Sequence, residues 1–190
     1  LPIAAFVLLT FVRKYPVDMS FTFQNILKTM DQGAGDYLIN SLIIAFSVAL
    51  IGTAVSYLTA YLTARSRGIS SGLLHLISIT SLAIPGMVLG LSYSLFFGGS
   101  FLAGTLSILI LVNMVHFFAS PYLMAYNSLG KLNENLEAVG RTLGIGRVRM
   151  VLRVFVPQTR STLWEMFSYF FVNSMMTISA VSFLSRRETM

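Results

Sequence analysis

The 190 residues are 55% hydrophobic and 11% charged, with a mean hydropathy of +0.76 and a formal net charge of +6. A soluble domain carries about 25% charged residues, so this chain lacks the charge to cover a water-facing surface, and its long apolar runs belong in lipid. It contains no cysteine, which excludes disulfide frameworks, thiol catalysis and cysteine-ligated metals.

The opening apolar run, 1–12, is about 18 Å long as a helix, short of the roughly 30 Å of a hydrocarbon core. It lacks the charged start of a signal peptide. It is read as the tail of a spanning helix that begins upstream. The closing Arg186-Arg187-Glu188-Thr189-Met190 also reads as cut, so the chain is expected to be a fragment lacking part of its first and last spanning helices. An external loop, 13–36, comes next. Four spans are predicted, at 38–62, 73–97, 101–126 and 164–184, each of about 20 residues or more. Helices satisfy every backbone group within the segment itself. The alternating ten-residue segments of a β-barrel are not seen. The predicted fold is therefore an all-α polytopic membrane bundle. Asp36 or Asn40 is expected to cap the first span, and Tyr37, Tyr61, Tyr126 and Trp164 are expected at headgroup level.

Positive charge sets the orientation. One side carries Arg65, Arg67, Lys131, Arg141, Arg147, Arg149, Arg153 and Arg160, and the other carries Arg13, Lys14, Lys28, Arg186 and Arg187. The first side, with the loop 128–160, is placed in the cytoplasm.

Inside the membrane, Gly52, Ser56 and Ala60 recur every four residues, and Gly86 and Gly90 do likewise, a spacing that lets helices pack closely or slide. Pro85 interrupts the second span, as a static bend or as a hinge lining a cavity. Asn113, His116 and Ser120 share one face of the third span, and Asn173 and Thr177 lie on the fourth with Ser174, Ser179 and Ser182. Polar groups at depth either bond neighbouring helices or line a wet pathway. A lone His116 makes no metal site.

The cytoplasmic loop carries the most specific pattern. Glu134 and Glu137 stand at the front of a short helical stretch, where the helix dipole favours acids. Gly144 and Gly146 can close it with a left-handed cap, and Pro157 punctuates the approach to the fourth span. The residues Glu137, Ala138, Val139, Gly140, Arg141, Gly144 and Pro157 resemble the EAA loop of type-1 ABC importer permeases: Glu-Ala-Ala, three residues, Gly, nine residues, Ile-x-Leu-Pro. Ala138-Val139-Gly140 fall on Glu-Ala-Ala, and Val154-Phe155-Val156-Pro157 on Ile-x-Leu-Pro. The departure is Ala138 at the usual Glu position, with Glu137 one residue earlier.

The resemblance covers about 36–184 and implies a permease domain at 37–184. Its loop would dock in a groove of a separate ATP-binding subunit, and a charged side chain at Gly144 would disrupt the docking turn. It further implies a second permease subunit or half, a periplasmic or extracellular solute-binding protein, and a multi-pass place in a bacterial inner membrane. ATP and Mg would be bound by the partner ATPase, with no cofactor in this chain and no nucleic acid. The run 171–184 looks like the permeases for 2-aminoethylphosphonate or ferric iron.

No motor is encoded here: the single Gly-Lys, Gly130-Lys131, has Ala125 where a phosphate-binding loop needs Gly, and Leu132 follows the Lys. A competing reading, an ion-gradient transporter or channel, calls for mid-membrane carboxylates. Every Asp and Glu lies in a loop or near a span end, Glu165 included. A membrane-embedded enzyme would need a dyad or metal cluster that His116 alone does not provide.

Overall fold

The computed structural model describes residues 2–66 and 68–177. Arg67, Ser179, Ser182, Arg186, Arg187 and the end of the fourth predicted span lie outside the described residues.

The N-terminal part departs from the simple external loop expected. Helix α1 (Pro2–Thr10) leads into an antiparallel hairpin, β1 (Val12–Lys14) and β2 (Asp18–Phe21). Phe11, Phe21 and Phe23 cluster there, with ring centroids 5.1 to 5.7 Å apart. The Asn25 amide donates to Val12 O at 2.8 Å and ties the hairpin to α2 (Gln24–Thr29). No alternation in the sequence announces strands this short, so the aromatic packing that holds them was not legible.

A π turn (Met30–Ala34) passes α2 directly into α3 (Gly35–Ala64). Asp36 and Asn40 therefore do not cap α3. The turn is kinked at Gly33, which has φ +88°, and no side chain caps the start of α3. The stretch Gln24–Ala64 is long and apolar enough to cross a membrane.

The second and third predicted spans are each broken in two. Helix α4 (Ile69–Ile79) and a 3-10 turn (Thr80–Ala83) meet α5 (Gly86–Phe97) at a 106° bend. Ile84 is extended at the break, because proline disfavours the helical conformation in the residue before it. Residues 101–105, predicted as helix, form turns. Helices α6 (Leu106–His116) and α7 (Ala119–Gly130) are bent by 52°. Pro121 is the cause: it has no N–H to bond the carbonyl of Phe117, where the helix opens. Each bent pair passes the length and composition test for a span only when counted as one. After the loop region, α11 (Arg160–Met176) returns through the bundle.

Helix α3 is the hub, packed against α4, α6, α7 and α11. Its small residues make this possible. Ala45, Ala49, Ser56 and Ala60 are fully buried. A Cβ at Gly52 would stand 2.9 Å from Phe170 Cζ, so a bare backbone is what admits the α11 ring. Two apolar clusters fill the interior. Ile44 and Val48 pack with Leu89, Ile108, Leu109, Val112 and Phe170 toward one end of α3. Tyr57, Ala60 and Tyr61 pack with Tyr122, Leu129, Phe155 and Met166 toward the other. Tyr61 is thus a core residue rather than a headgroup anchor, its ring 5.3 Å from that of Phe155. Trp164 and Tyr37 are exposed, as belt residues should be.

Hydroxyls stitch this second end. Tyr122 donates to Thr63 Oγ1 at 2.8 Å and lies 2.7 Å from His75 Nδ1. Tyr57 and Thr159 hydroxyls are 2.8 Å apart. The whole is a helical bundle carrying, among the described residues, one small hairpin.

Candidate functional site

The loop 128–160 folds as an elbow. Helix α8 (Leu136–Thr142) is followed by the short α9 (Arg147–Met150), a π turn (Val151–Phe155) and α10 (Val156–Gln158). Glu137 lies in the first turn of α8 and Arg141 in the last, both matched to the helix dipole. The turn after α8 is a Schellman closure. Gly144 adopts φ +68°, Ile145 N–H bonds Gly140 O at 2.8 Å, and Gly144 N–H bonds Arg141 O at 3.1 Å. Gly146 plays a different part from the left-handed cap expected: it is extended, at φ −65° and ψ 153°, and opens α9. Ile145 is drawn into the inner apolar cluster. Gly140 is buried where a side chain would collide with Met150 Cε. Pro157 follows the π turn, in which Val156 N–H reaches back to Val151 O.

A Cβ at Gly144 would meet nothing within 4 Å. Within this chain the cost of a substitution there is therefore one of backbone conformation rather than crowding. Gly144→Val should weaken the elbow by about 1–2 kcal/mol, whereas Gly144→Asn should cost distinctly less because Asn tolerates the left-handed region. Tryptic cleavage rates at Arg141 and Arg147 would rank the two; equal rates would remove the conformational explanation.

The elbow has two faces. Outward, Val139, Leu143, Val148 and Leu152 are exposed among Arg141, Arg147, Arg149 and Arg153, with Ala138 beside them. Inward, Glu137 is gripped by Arg65, the residue that ends α3. Arg65 Nε donates to Oε1 at 2.6 Å and Nη2 to Oε2 at 2.5 Å, a bidentate pair whose side chains are only 6% and 20% exposed. Burial raises the Glu137 carboxyl, but the Arg65 hydrogen bond, a backbone hydrogen bond and the charges of Arg65 and Arg141 together outweigh it, and the net shift is downward. The hydrogen bond to Glu137 is likewise the main reason that Arg65 is raised. A cavity of about 100 Å³ lies between them, Tyr61, Arg141, Arg147 and Met150. Sequence reasoning counted Arg65 only as an inside charge. Its partner is 72 residues away, and no local signal links the two.

This pair also fixes which ends lie together. Arg65 at the end of α3 bonds one carbonyl at the end of α7 and one in the turn after it, so the basic elbow and Arg65 occupy one side of the bundle.

The residues singled out inside the bundle lie at the α4–α5 break, on α6 and α7, and along α11 to its end. Pro85 stands at the α4–α5 break. Asn113 is buried, its amide donating to Leu109 O at 3.0 Å while Oδ1 has no partner. His116 Nδ1 is also buried without a partner. Asn173 donates to Tyr169 O and Thr177 to Asn173 O, both at 2.8 Å. Ser120 accepts from the Tyr169 hydroxyl. Ser81, Thr53 and Ser174 add further buried, unpartnered hydroxyls. Of these, Ser81 and Thr53 carried no sequence signal, because a lone hydroxyl in an apolar helix usually bonds its own backbone. Among the described residues no group of three His, Asp or Glu side chains is placed to hold a metal.

A hub helix with broken, closely packed neighbours and a basic, apolar-tipped elbow at one end makes a helical bundle with segments long and apolar enough to cross a membrane. Over 186 residues the chain is 26% identical to the ferric transport system permease protein FbpB of Actinobacillus pleuropneumoniae, covering 95% of this chain and 27% of that protein. It is also 26% identical over 186 residues to the putative ferric transport system permease protein FbpB 1 of Haemophilus influenzae, covering 95% of this chain and 29% of that one. A spermidine/putrescine transport system permease protein PotC homolog of Mycoplasma pneumoniae is 27% identical over 124 residues, 63% of this chain and 43% of that protein. The chain thus spans less than a third of the two ferric relatives' length. No family model matches the sequence. All three are named as permease proteins of transport systems, in keeping with the resemblance read from the loop.

Proposed function

We propose that the chain is the transmembrane permease part of an ATP-driven importer, a multi-pass protein of a bacterial inner membrane. The elbow docks in a separate ATP-binding subunit, which binds ATP and Mg and performs the hydrolysis. Docking uses Ala138, Val139, Arg141 and the Gly144 turn, with Glu137, Gly140 and Pro157 shaping the elbow. The solute comes from an external binding protein, and a second permease subunit or half completes the path. The relatives' names favour ferric iron as cargo over 2-aminoethylphosphonate. One observation carries the reading most: four apolar side chains, Val139, Leu143, Val148 and Leu152, stand exposed between arginines along the elbow. Exposed apolar groups at a polar end mark a surface that another protein covers.

Copurification from membranes tests this directly. An ATP-hydrolysing subunit should accompany the intact protein, and its absence under mild solubilisation would overturn the proposal. For the path, the buried and unpartnered atoms of Asn113 and His116, with Pro85, Asn173 and Thr177, are the proposed lining. Asn173→Leu should change solute uptake without changing ATPase retention. Unaltered uptake would leave Asn173 as packing.

A further inference from the structure

Arg65 does more than neutralise Glu137. Its five N–H groups all have acceptors. Nε and one Nη2 hydrogen go to the Glu137 carboxylate, and Nη2 also reaches Asn133 O at 2.7 Å. Nη1 reaches Leu132 O at 2.9 Å and Leu129 O at 3.4 Å. The guanidinium carbon lies 5.2 Å from the centre of the Phe155 ring. One side chain at the end of α3 therefore binds the end of α7, the turn after it, the first turn of α8 and the π turn beyond. Lysine has neither the planar fork nor the five fixed donors to do this.

From this geometry we infer that Arg65 is a positioning residue: it clamps the elbow to α3, so that a push on the elbow moves the hub helix as one body with it. This rests on the docking role proposed above. Glu137 follows from the same geometry as an inward anchor, engaged on both oxygens by Arg65, and the outward contact is left to Val139, Leu143, Val148 and the arginines. An elbow attached only by the flexible connections on either side of it would absorb a displacement locally. A bidentate, largely buried fork transmits it to the element that touches α4, α6, α7 and α11.

The test uses spin labels on the full protein with its ATPase, since residues 1–190 contain no cysteine to compete. Labels at Ser66→Cys and Thr142→Cys report the α3–elbow separation, and labels at Tyr37→Cys and Phe101→Cys report the far end of the bundle. In the parent chain the first separation should be narrow and unchanged by Mg-ATP, while the second shifts. In Arg65→Lys the first should broaden and the nucleotide-driven shift of the second should be lost, with the ATPase still retained. Glu137→Gln, which keeps the carbonyl bonds, should fall between the two and covers the event that Arg65→Lys fails to fold. A merely stabilising arginine would lower the melting temperature and leave both separations alone, and that result overturns the clamp. Failure of the parent chain to retain any ATPase would instead overturn the docking role, and the Ser66–Thr142 separation would still decide the clamp.

Discussion

Leu143→Glu combined with Val148→Glu is expected to abolish capture of the ATP-binding subunit while membrane insertion and the bundle persist. Both side chains are largely exposed, at 69% and 74%, so the bundle loses no packing when they change. They stand on either side of the Gly144 turn. Burying each against a partner is worth about 1.5–3 kcal/mol. Losing both therefore weakens docking by roughly a hundredfold to ten-thousandfold. Two new carboxylates facing a desolvated groove add to that. Affinity capture from solubilised membranes measures the loss, and an unchanged tryptic pattern verifies the fold. Retention of the ATPase at parental levels would end the case for docking at this turn.

Phe155→Ala is expected to be the most damaging single truncation on the elbow, costing about 3–5 kcal/mol. The ring is fully buried in the inner cluster, against Tyr61 and beneath the Arg65 guanidinium. Removing it leaves a cavity and withdraws the surface on which the arginine fork rests. The loss is one of packing contact, because helices in lipid gain little from apolar transfer alone. Val154→Ala, at the neighbouring position and only half-buried, should cost far less. Melting in detergent and tryptic cleavage at Arg147 and Arg149 would compare the pair. Equal melting temperatures would mean that the inner cluster does not secure the elbow.

The hydrophobic pattern announced the helical bundle because it is a sum over twenty or more residues, which single exceptions do not disturb. The first span was legible almost to its ends, 38–62 against Gly35–Ala64. The breaks were less so. Pro85 was seen as a bend, but a 106° turn depends on what the two arms pack against. Pro121 went unnoticed because its effect falls four residues upstream, at Phe117. The Gly144 cap was legible because only a glycine-like residue suits that turn. Gly146 beside it looked the same in sequence, and the backbone gave it an extended conformation instead.

By itself the sequence determined that the chain is helical and apolar enough for lipid, that its basic residues gather at one end with the elbow, and that the elbow turns at Gly144. These follow from hydropathy, charge and local backbone preference, each read within a few neighbouring residues. Only the tertiary structure decided that Tyr61 is core, that Glu137 points inward, and that Arg65 gathers four segments into one joint. Those facts depend on residues far apart in the chain meeting at particular angles, and no local preference encodes an angle between distant helices.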